Sequence, residues 1–168
     1  MFGWRDITNN TNERTLIATK LPRVAVGNNL PLAFASVTND ELSGLQAVLS
    51  SYALDFVTRQ KTGGTHLNFF SMQQLPAPTP GQLGRHLAWI ASRVDRLNSQ
   101  RLDEKTSEAL RAELDALLFH IYGVSRDDAG YILDSFPIVK RKDEAQFGEY
   151  RTKRLILEKY DELQGAAS

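Results

Sequence analysis

The stretch LPAPTPG, residues 75–81, divides the sequence into two parts with different patterns. Its three prolines disfavour a helix and favour a stiff, extended connection. Short β-branched and apolar runs precede it, whereas apolar residues at helical spacing follow it. The sequence therefore predicts an α+β protein, with a small mixed β-containing N-terminal lobe over residues 1–79 and a helical C-terminal lobe over residues 80–168.

The first lobe is predicted to combine short strands with one long amphipathic helix. Short runs of β-branched and apolar residues, separated by glycine, asparagine and proline, are typical of strands. Four such runs cover residues 15–21, 24–26, 32–37 and 67–72. Apolar residues at helical spacing from Asn39 to about Arg59 predict the helix, and Asp40 and Glu41 suit its positively polarised start.

The second lobe is predicted to consist of packed helices. Its apolar residues recur every three or four positions, which puts them on one face of each helix. Gly123 and the pair Phe136 and Pro137 are typical helix ends, and Ser125 with Asp128 has the spacing of a helix cap. The predicted helices cover residues 83–97, 104–122, 125–135 and 143–163.

Composition narrows the function classes. The 168-residue chain has no cysteine, which excludes disulfides and thiolate metal sites. It has no apolar run of the roughly 18 residues that a membrane span needs, and we expect a cytoplasmic protein without a membrane partner. Lys plus Arg number 20, as do Asp plus Glu, so binding to nucleic acid would depend on a local cluster of cations rather than on net charge.

No set of residues in the sequence predicts an active site. Three histidines and scattered serines lack the order of a nucleophile–base pair and the spacing of a metal site, so we expect no catalytic and no metal-ligating residue. His120 lies among apolar neighbours and is interpreted as a packing residue. Asp103 and Lys105 superficially resemble a nuclease's carboxylate–lysine pair, but acidic residues are also favoured at a helix start.

Two clusters of cationic residues remain. The first is RQKTGGTHLN, residues 59–68, where basic and hydrogen-bonding side chains surround two glycines that let the backbone approach a ligand. It is equally consistent with a helix end followed by a flexible turn, and both interpretations stay open. The second cluster is residues 140–142 with Arg151, Lys153 and Arg154, and its interleaved acids favour a solvated helix face.

Several segments, taken in order, resemble one protein family. They are residues 5–7, 12–15 and 27–31, RQKTGGTHLNFF at 59–70, QLPAP at 74–78 and the C-terminal run 114–163. This set is similar to the region after the catalytic domain in large adenine-specific DNA methyltransferases of type II, type IIG-like restriction–modification systems and related phage-defence systems. The likeness covers nearly the whole chain.

The resemblance implies a division of tasks between this chain and a catalytic domain. The parent enzyme binds duplex DNA, flips an adenine out of the helix and methylates its amino group with S-adenosylmethionine. The Asn/Asp-Pro-Pro-Tyr/Phe tetrapeptide that holds the flipped base and the glycine-containing cofactor segment are absent from this sequence. We therefore expect a non-catalytic target-recognition fragment that binds no cofactor itself and works with a methyltransferase domain of the same or a neighbouring chain.

Carried over to matching positions, the resemblance indicates residues that face DNA or define the fold: Arg5, Arg14, Asn28, Arg59, Lys61, Thr65, His66 and Asn68. Residues 12–15, which include Arg14, are also consistent with a turn into the first strand, and a turn also explains Asn28, because asparagine tolerates left-handed backbone. The alternative function is a helical docking module of the same system, which contacts the catalytic domain or a partner subunit without direct contact with DNA. The near-zero net charge favours this alternative for the second lobe.

Overall fold

The structure, a computed structural model, describes residues 1–99 and 101–166. Near the N-terminus lie the strands β1 (Phe2–Trp4), β2 (Ala18–Lys20) and β3 (Leu32–Ala33), which form an antiparallel sheet in the order β2-β1-β3. The helices are α1 (Asn39–Ser50), α2 (Tyr52–Lys61), α3 (Phe69–Gln73), α4 (Pro80–Leu83), a 3-10 helix (Gly84–His86), α5 (Leu87–Ser99), α6 (Glu104–Ile121), α7 (Arg126–Asp134), α8 (Pro137–Phe147) and α9 (Arg151–Ala166). The α+β class predicted from the sequence is confirmed.

The chain forms two compact units, the first up to Asp95 and the second from Arg96 onward. The division falls within α5, whereas the boundary predicted after residue 79 lies inside the first unit, where Thr79 caps the start of α4. In the two described stretches, no helix combines the length and the apolarity that crossing a membrane requires.

The sheet of the first unit packs against α1 and buries its aromatic residues. Phe2 and Trp4 are almost fully buried, as expected for alternate residues on the same face of a strand. Trp4 Nε1 donates a hydrogen bond of 2.6 Å to the Leu67 carbonyl, which satisfies its polar atom in the core. Gly3 lies between Leu21 and Leu32, whose side chains would meet an added Cβ at 2.9 and 3.1 Å. The absence of a side chain at Gly3 therefore allows the strands to come together.

The long helix predicted for the first unit is in fact two helices. α1 and α2 are separated by Ser51, whose backbone is extended. The Ser51 hydroxyl accepts a hydrogen bond from the Leu54 N–H and donates one to the Val48 carbonyl, so it offers the backbone an alternative to a continuous helix. Apolar periodicity continues across the break, which is why it does not reveal the break.

The strand predictions are partly wrong. β2 and β3 occupy only part of the predicted runs 15–21 and 32–37, and residues 24–26 lie outside any strand. β1 was not expected at all. Each of these strands is two or three residues long and exists because a distant segment pairs with it, which a local pattern does not encode.

Two further predictions fail at residues that cap or end a helix. Residues 67–72 are not a strand, because the Asn68 side chain accepts a hydrogen bond from the Ser71 N–H at 2.9 Å and starts α3. Residues 143–163 are not one helix, because Gly148 adopts left-handed backbone (φ 74°) and separates α8 from α9. Such a conformation suits glycine and interrupts the helix.

In the second unit, α9 packs against α6, α7 and α8. Leu118 and Phe119 of α6 are fully buried, and Ile156 of α9 is nearly so. The His120 ring stacks on Tyr160 with ring centres 3.9 Å apart. These contacts give the second unit a core of regularly spaced apolar residues.

The helix predictions succeed best in this unit. α6 and α7 match the predicted residues 104–122 and 125–135 within a residue at either end. Gly123 has a φ of 67° directly after α6, and the Ser125 hydroxyl accepts a hydrogen bond from the Asp128 N–H at the start of α7. The helix predicted over 83–97 corresponds to α5, which begins at Leu87 after short helical turns.

Candidate nucleic-acid interface

A buried carboxylate organises the segment that precedes β2. Asp55 on α2 is fully buried, and it accepts hydrogen bonds from Arg14 Nε at 2.6 Å and from the Thr15 N–H at 3.1 Å. Arg59 Nε lies 3.7 Å from Asp55 Oδ1. Because a buried charge is tolerated only when it is paired and hydrogen bonded, the loss of one group would destabilise the others.

The two arginines of this cluster also hold backbone carbonyls. Arg59 donates to the carbonyls of Asn12 and Glu13 at 2.5 and 2.8 Å, and Arg14 donates to the carbonyl of Ser50 at 2.5 Å. Burial lowers the pKa of Arg59, and the charge of the neighbouring carboxylate opposes this shift. Both guanidinium groups are therefore engaged within the first unit, where they define the fold.

Arg5 is also directed into the protein. Its Nη2 donates to the Arg14 carbonyl at 2.8 Å and to Thr8 Oγ1 at 3.2 Å. The Thr8 hydroxyl donates in turn to the Thr15 carbonyl at 2.6 Å. The three arginines among the sequence candidates thus belong to one network that fixes residues 5–15 in place.

Segment 5–8, which continues β1, brings two distant parts of the chain together. The Asp6 N–H donates to the Asn29 carbonyl at 3.0 Å, and the Asp6 carbonyl accepts from the Leu67 N–H at 2.8 Å. Asn29 belongs to the turn that contains Asn28, and Leu67 to the 62–68 loop after α2. The candidates Asn28 and His66, about forty positions apart in the sequence, therefore lie next to residues that bind the backbone of Asp6.

Further contacts fix the 62–68 loop against the same segment. The Thr8 N–H donates to the Thr65 carbonyl at 2.9 Å, and Ile7 forms an isolated antiparallel bridge with His66. The imidazole Nδ1 of His66 lies 2.7 Å from Asp6 Oδ2. The loop end is therefore positioned by backbone and side-chain bonds.

The remaining candidates lie on the surface of the first unit: Asn28, Lys61, Thr65, His66 and Asn68 are all exposed. Asn28 does not have left-handed backbone, so that explanation for it is wrong. Asn68 uses its side-chain oxygen to cap α3, which leaves its amide hydrogens as donors. These side chains present donors and acceptors of the kind that contact phosphates and base edges.

Two features of this surface were not singled out from the sequence. Asp6 holds His66, and Phe69 and Phe70 follow the loop with exposed fractions of 52% and 71%. The Phe69 ring rests edge-on against Trp4 with ring centres 4.7 Å apart. The sequence prediction assigned both phenylalanines to a strand over residues 67–72, although asparagine, here Asn68, is a favoured residue at the start of a helix.

The second cationic cluster is largely paired with acids within its own unit. Arg151 binds Glu108, and Lys153 binds Asp134, each at 2.7 Å. Arg154 lies between Glu149 and Glu158 at 3.0 and 2.9 Å, and its hydrogen bonds lower the pKa of Glu149. Lys140, Arg141 and Lys142 are exposed on α8. The ion pairs agree with the solvated helix face that the sequence favours.

Comparisons with protein-family models, with curated proteins and with solved structures found no match for this chain.

Proposed function

We propose that this chain is the DNA target-recognition and C-terminal part of an adenine-specific DNA methyltransferase of a restriction–modification system. The ordered segments that resemble this family support the proposal, because the buried network joins several of them. Residues 12–15 meet Arg59 and Asp55, and residues 5–7 meet the 62–68 loop. Segments that resemble one family as a set thus also form one structural unit.

The observation that carries the proposal is the pair Gly63 and Gly64. Neither has positive φ, and a Cβ added to either would meet no described atom within 4 Å. Neither the backbone conformation nor packing against the described residues thus requires glycine here. A ligand that approaches the backbone closely would require it, and Lys61, Thr65 and Asn68 beside the pair offer groups that bind duplex DNA.

The proposed partners follow from this assignment. Duplex DNA binds the loop surface of the first unit, and a methyltransferase domain of the same or a neighbouring chain holds S-adenosylmethionine and the flipped adenine. This chain itself is non-catalytic, binds no cofactor and acts in the cytoplasm. Calorimetry with S-adenosylmethionine should detect no saturable binding to this chain, and saturable binding would contradict this part of the proposal.

Binding to DNA is tested by fluorescence anisotropy with a labelled duplex at increasing salt. We expect weak binding that falls as salt rises, because it rests on a few cation–phosphate contacts. Gly64→Ala should weaken binding and leave the melting temperature unchanged, whereas Gly81→Ala, in α4 of the same unit, serves as the matched control and should bind like wild type. If Gly64→Ala and Gly81→Ala bind the duplex equally well, the glycine pair no longer supports the proposed DNA-binding function.

The alternative, a helical docking module without DNA contact, is favoured for the second unit by its charge. Residues up to 95 carry eight Lys and Arg against six Asp and Glu, whereas residues from 96 onward carry twelve against fourteen. A negative unit does not attract DNA over a distance. If Lys140→Gln with Arg141→Gln weakens co-purification with the methyltransferase domain and leaves DNA binding intact, the second unit docks and the first unit recognises.

A further inference from the structure

His66 is the exposed side chain of the 62–68 loop whose orientation is held by an ionisable partner. Its Nδ1 lies 2.7 Å from Asp6 Oδ2, and the exposed fractions of the two side chains are 60% and 15%. The backbone on both sides of the pair is also fixed, because the Leu67 N–H donates to the Asp6 carbonyl and Ile7 bridges His66. The imidazole is therefore presented to solvent in a defined direction.

This contact determines which ring nitrogen carries the hydrogen. A carboxylate only accepts hydrogen bonds, so Nδ1 must be the donor. In the neutral imidazole the hydrogen is then on Nδ1, and Nε2 is an acceptor. Since Nδ1 is engaged and most of the side chain is exposed, Nε2 is available to a ligand.

We propose that His66 is a specificity-determining residue that accepts a hydrogen bond from the exocyclic amino group of a base in the major groove, with Asp6 as its positioning residue. This inference rests on the proposed DNA-binding function. It goes further by naming the reading atom, Nε2, and the chemical group that it reads.

The proposal predicts a particular kind of base preference. In the major groove, adenine N6 and cytosine N4 are donors, whereas guanine O6 and thymine O4 are acceptors. An acceptor at Nε2 therefore favours adenine or cytosine over guanine or thymine at one position on the contacted strand. Neighbouring candidates do not discriminate in this way, because the Thr65 hydroxyl both donates and accepts and Lys61 only donates.

The first measurement is the tautomer of His66 in the whole chain by ¹⁵N nuclear magnetic resonance at slightly alkaline pH. We expect the hydrogen on Nδ1 in the wild-type protein. Asp6→Asn should shift the population toward the other tautomer, because an amide can donate as well as accept. A hydrogen on Nε2 in the wild type would overturn the proposal.

The second measurement selects bound duplexes from a randomised library at low salt and sequences them. We expect the wild type to enrich adenine or cytosine at one position, and His66→Ala to lower this preference on the order of ten-fold, the size of one good base contact. Asp6→Asn should lower it with an unchanged melting temperature, and His86→Ala, a histidine of the same unit, should keep it.

The outcomes separate this inference from the function on which it rests. If the wild type binds no DNA under any salt condition, the proposed function fails. If it binds DNA but shows no amino-base preference, or if His66→Ala keeps the wild-type preference, only the role of His66 fails.

Discussion

The two units use charged residues in opposite ways. The first unit buries Asp55 among Arg14, Arg59 and backbone N–H groups, so that its ions hold irregular segments in place. The second unit keeps most of its ion pairs on the surface of helices that already have an apolar core, as in the pair between Arg126 and Asp161. Ion pairs between the same types of residue therefore contribute differently to the stability of the two units.

The difference follows from secondary structure. Helices satisfy their own backbone hydrogen bonds, so surface charges on them mainly tune solubility and local stability. Loops and very short strands leave backbone groups without regular partners, and buried groups of this kind need a substitute. In the first unit, Arg5, Arg14 and Arg59 supply it by donating to carbonyls of the chain.

The largest expected effect is the loss of Asp55. Asp55→Ala should lower the free energy of unfolding by about 3–5 kcal/mol, because it removes the acceptor of Arg14 and the Thr15 N–H and the charge that is paired with Arg59. Urea unfolding followed by far-ultraviolet circular dichroism is a suitable probe, since both units contain helices. Asp161→Ala, which breaks an exposed pair, is the control and should leave unfolding unchanged within error. Equal losses of stability in Asp55→Ala and Asp161→Ala would show that the ion pairs of the two units do not differ in this way.

A smaller effect is expected from filling a helical glycine in each unit. A Cβ at Gly44 would lie 2.7 Å from Leu87 Cδ1 and 3.0 Å from Leu83 Cδ1, whereas the nearest atoms to one at Gly130 would be those of Lys153 and Leu157, at 3.7 Å or more. Gly44→Ala should therefore lower the free energy of unfolding by about 1 kcal/mol, although alanine has a better helix propensity than glycine. Gly130→Ala should raise the free energy of unfolding by up to about 1 kcal/mol, because alanine favours the helix and has room here. The melting temperatures of the two variants can be compared by circular dichroism. A higher melting temperature for Gly44→Ala would show that Leu83 and Leu87 move without cost to accommodate the added methyl group.

Acid should weaken the first unit through Asp95. Burial opposes ionisation of this carboxyl, but the hydrogen bonds from Lys20, Ser43 and Asn39, together with the charge of Lys20, outweigh it and lower its pKa below the ordinary value. A carboxyl with a lowered pKa stabilises the fold above the unfolded value and loses that contribution as the pH falls through the folded one. As the pH falls below about 4, near the pKa of an unfolded aspartate, the wild type should therefore lose more stability than Asp95→Asn. Parallel losses in fluorescence-monitored unfolding would exclude this role.

The smallest effect is expected for single surface cations. Lys61→Gln should weaken duplex binding a few-fold and reduce the slope of log affinity against log salt by roughly 1, because one phosphate contact is lost. Lys140→Gln in the second unit should change neither. An anisotropy titration at several salt concentrations measures both, and an equal change in both variants would assign DNA contact to the second unit as well.

The sequence by itself determined the class of the fold and most of the second unit. Periodic apolar residues and local signals such as Gly123 and Ser125 are sufficient for α6 and α7, because a helix is held by bonds between residues three or four positions apart. The sequence also placed most of its candidate binding residues in the run 59–68. The apolar pattern did not predict the two places where a single residue, Ser51 or Gly148, separates one helix from the next.

Only the tertiary structure decided which candidates face outward. Arg59 and Lys61 are two positions apart in one cationic run, yet Arg59 turns to Asp55 and backbone carbonyls while Lys61 is exposed. Likewise, nothing local indicates that Asp6 holds His66, sixty positions away. The physical reason is that strand pairing and buried ion pairs join residues distant in sequence, so their partners exist only after the chain has folded.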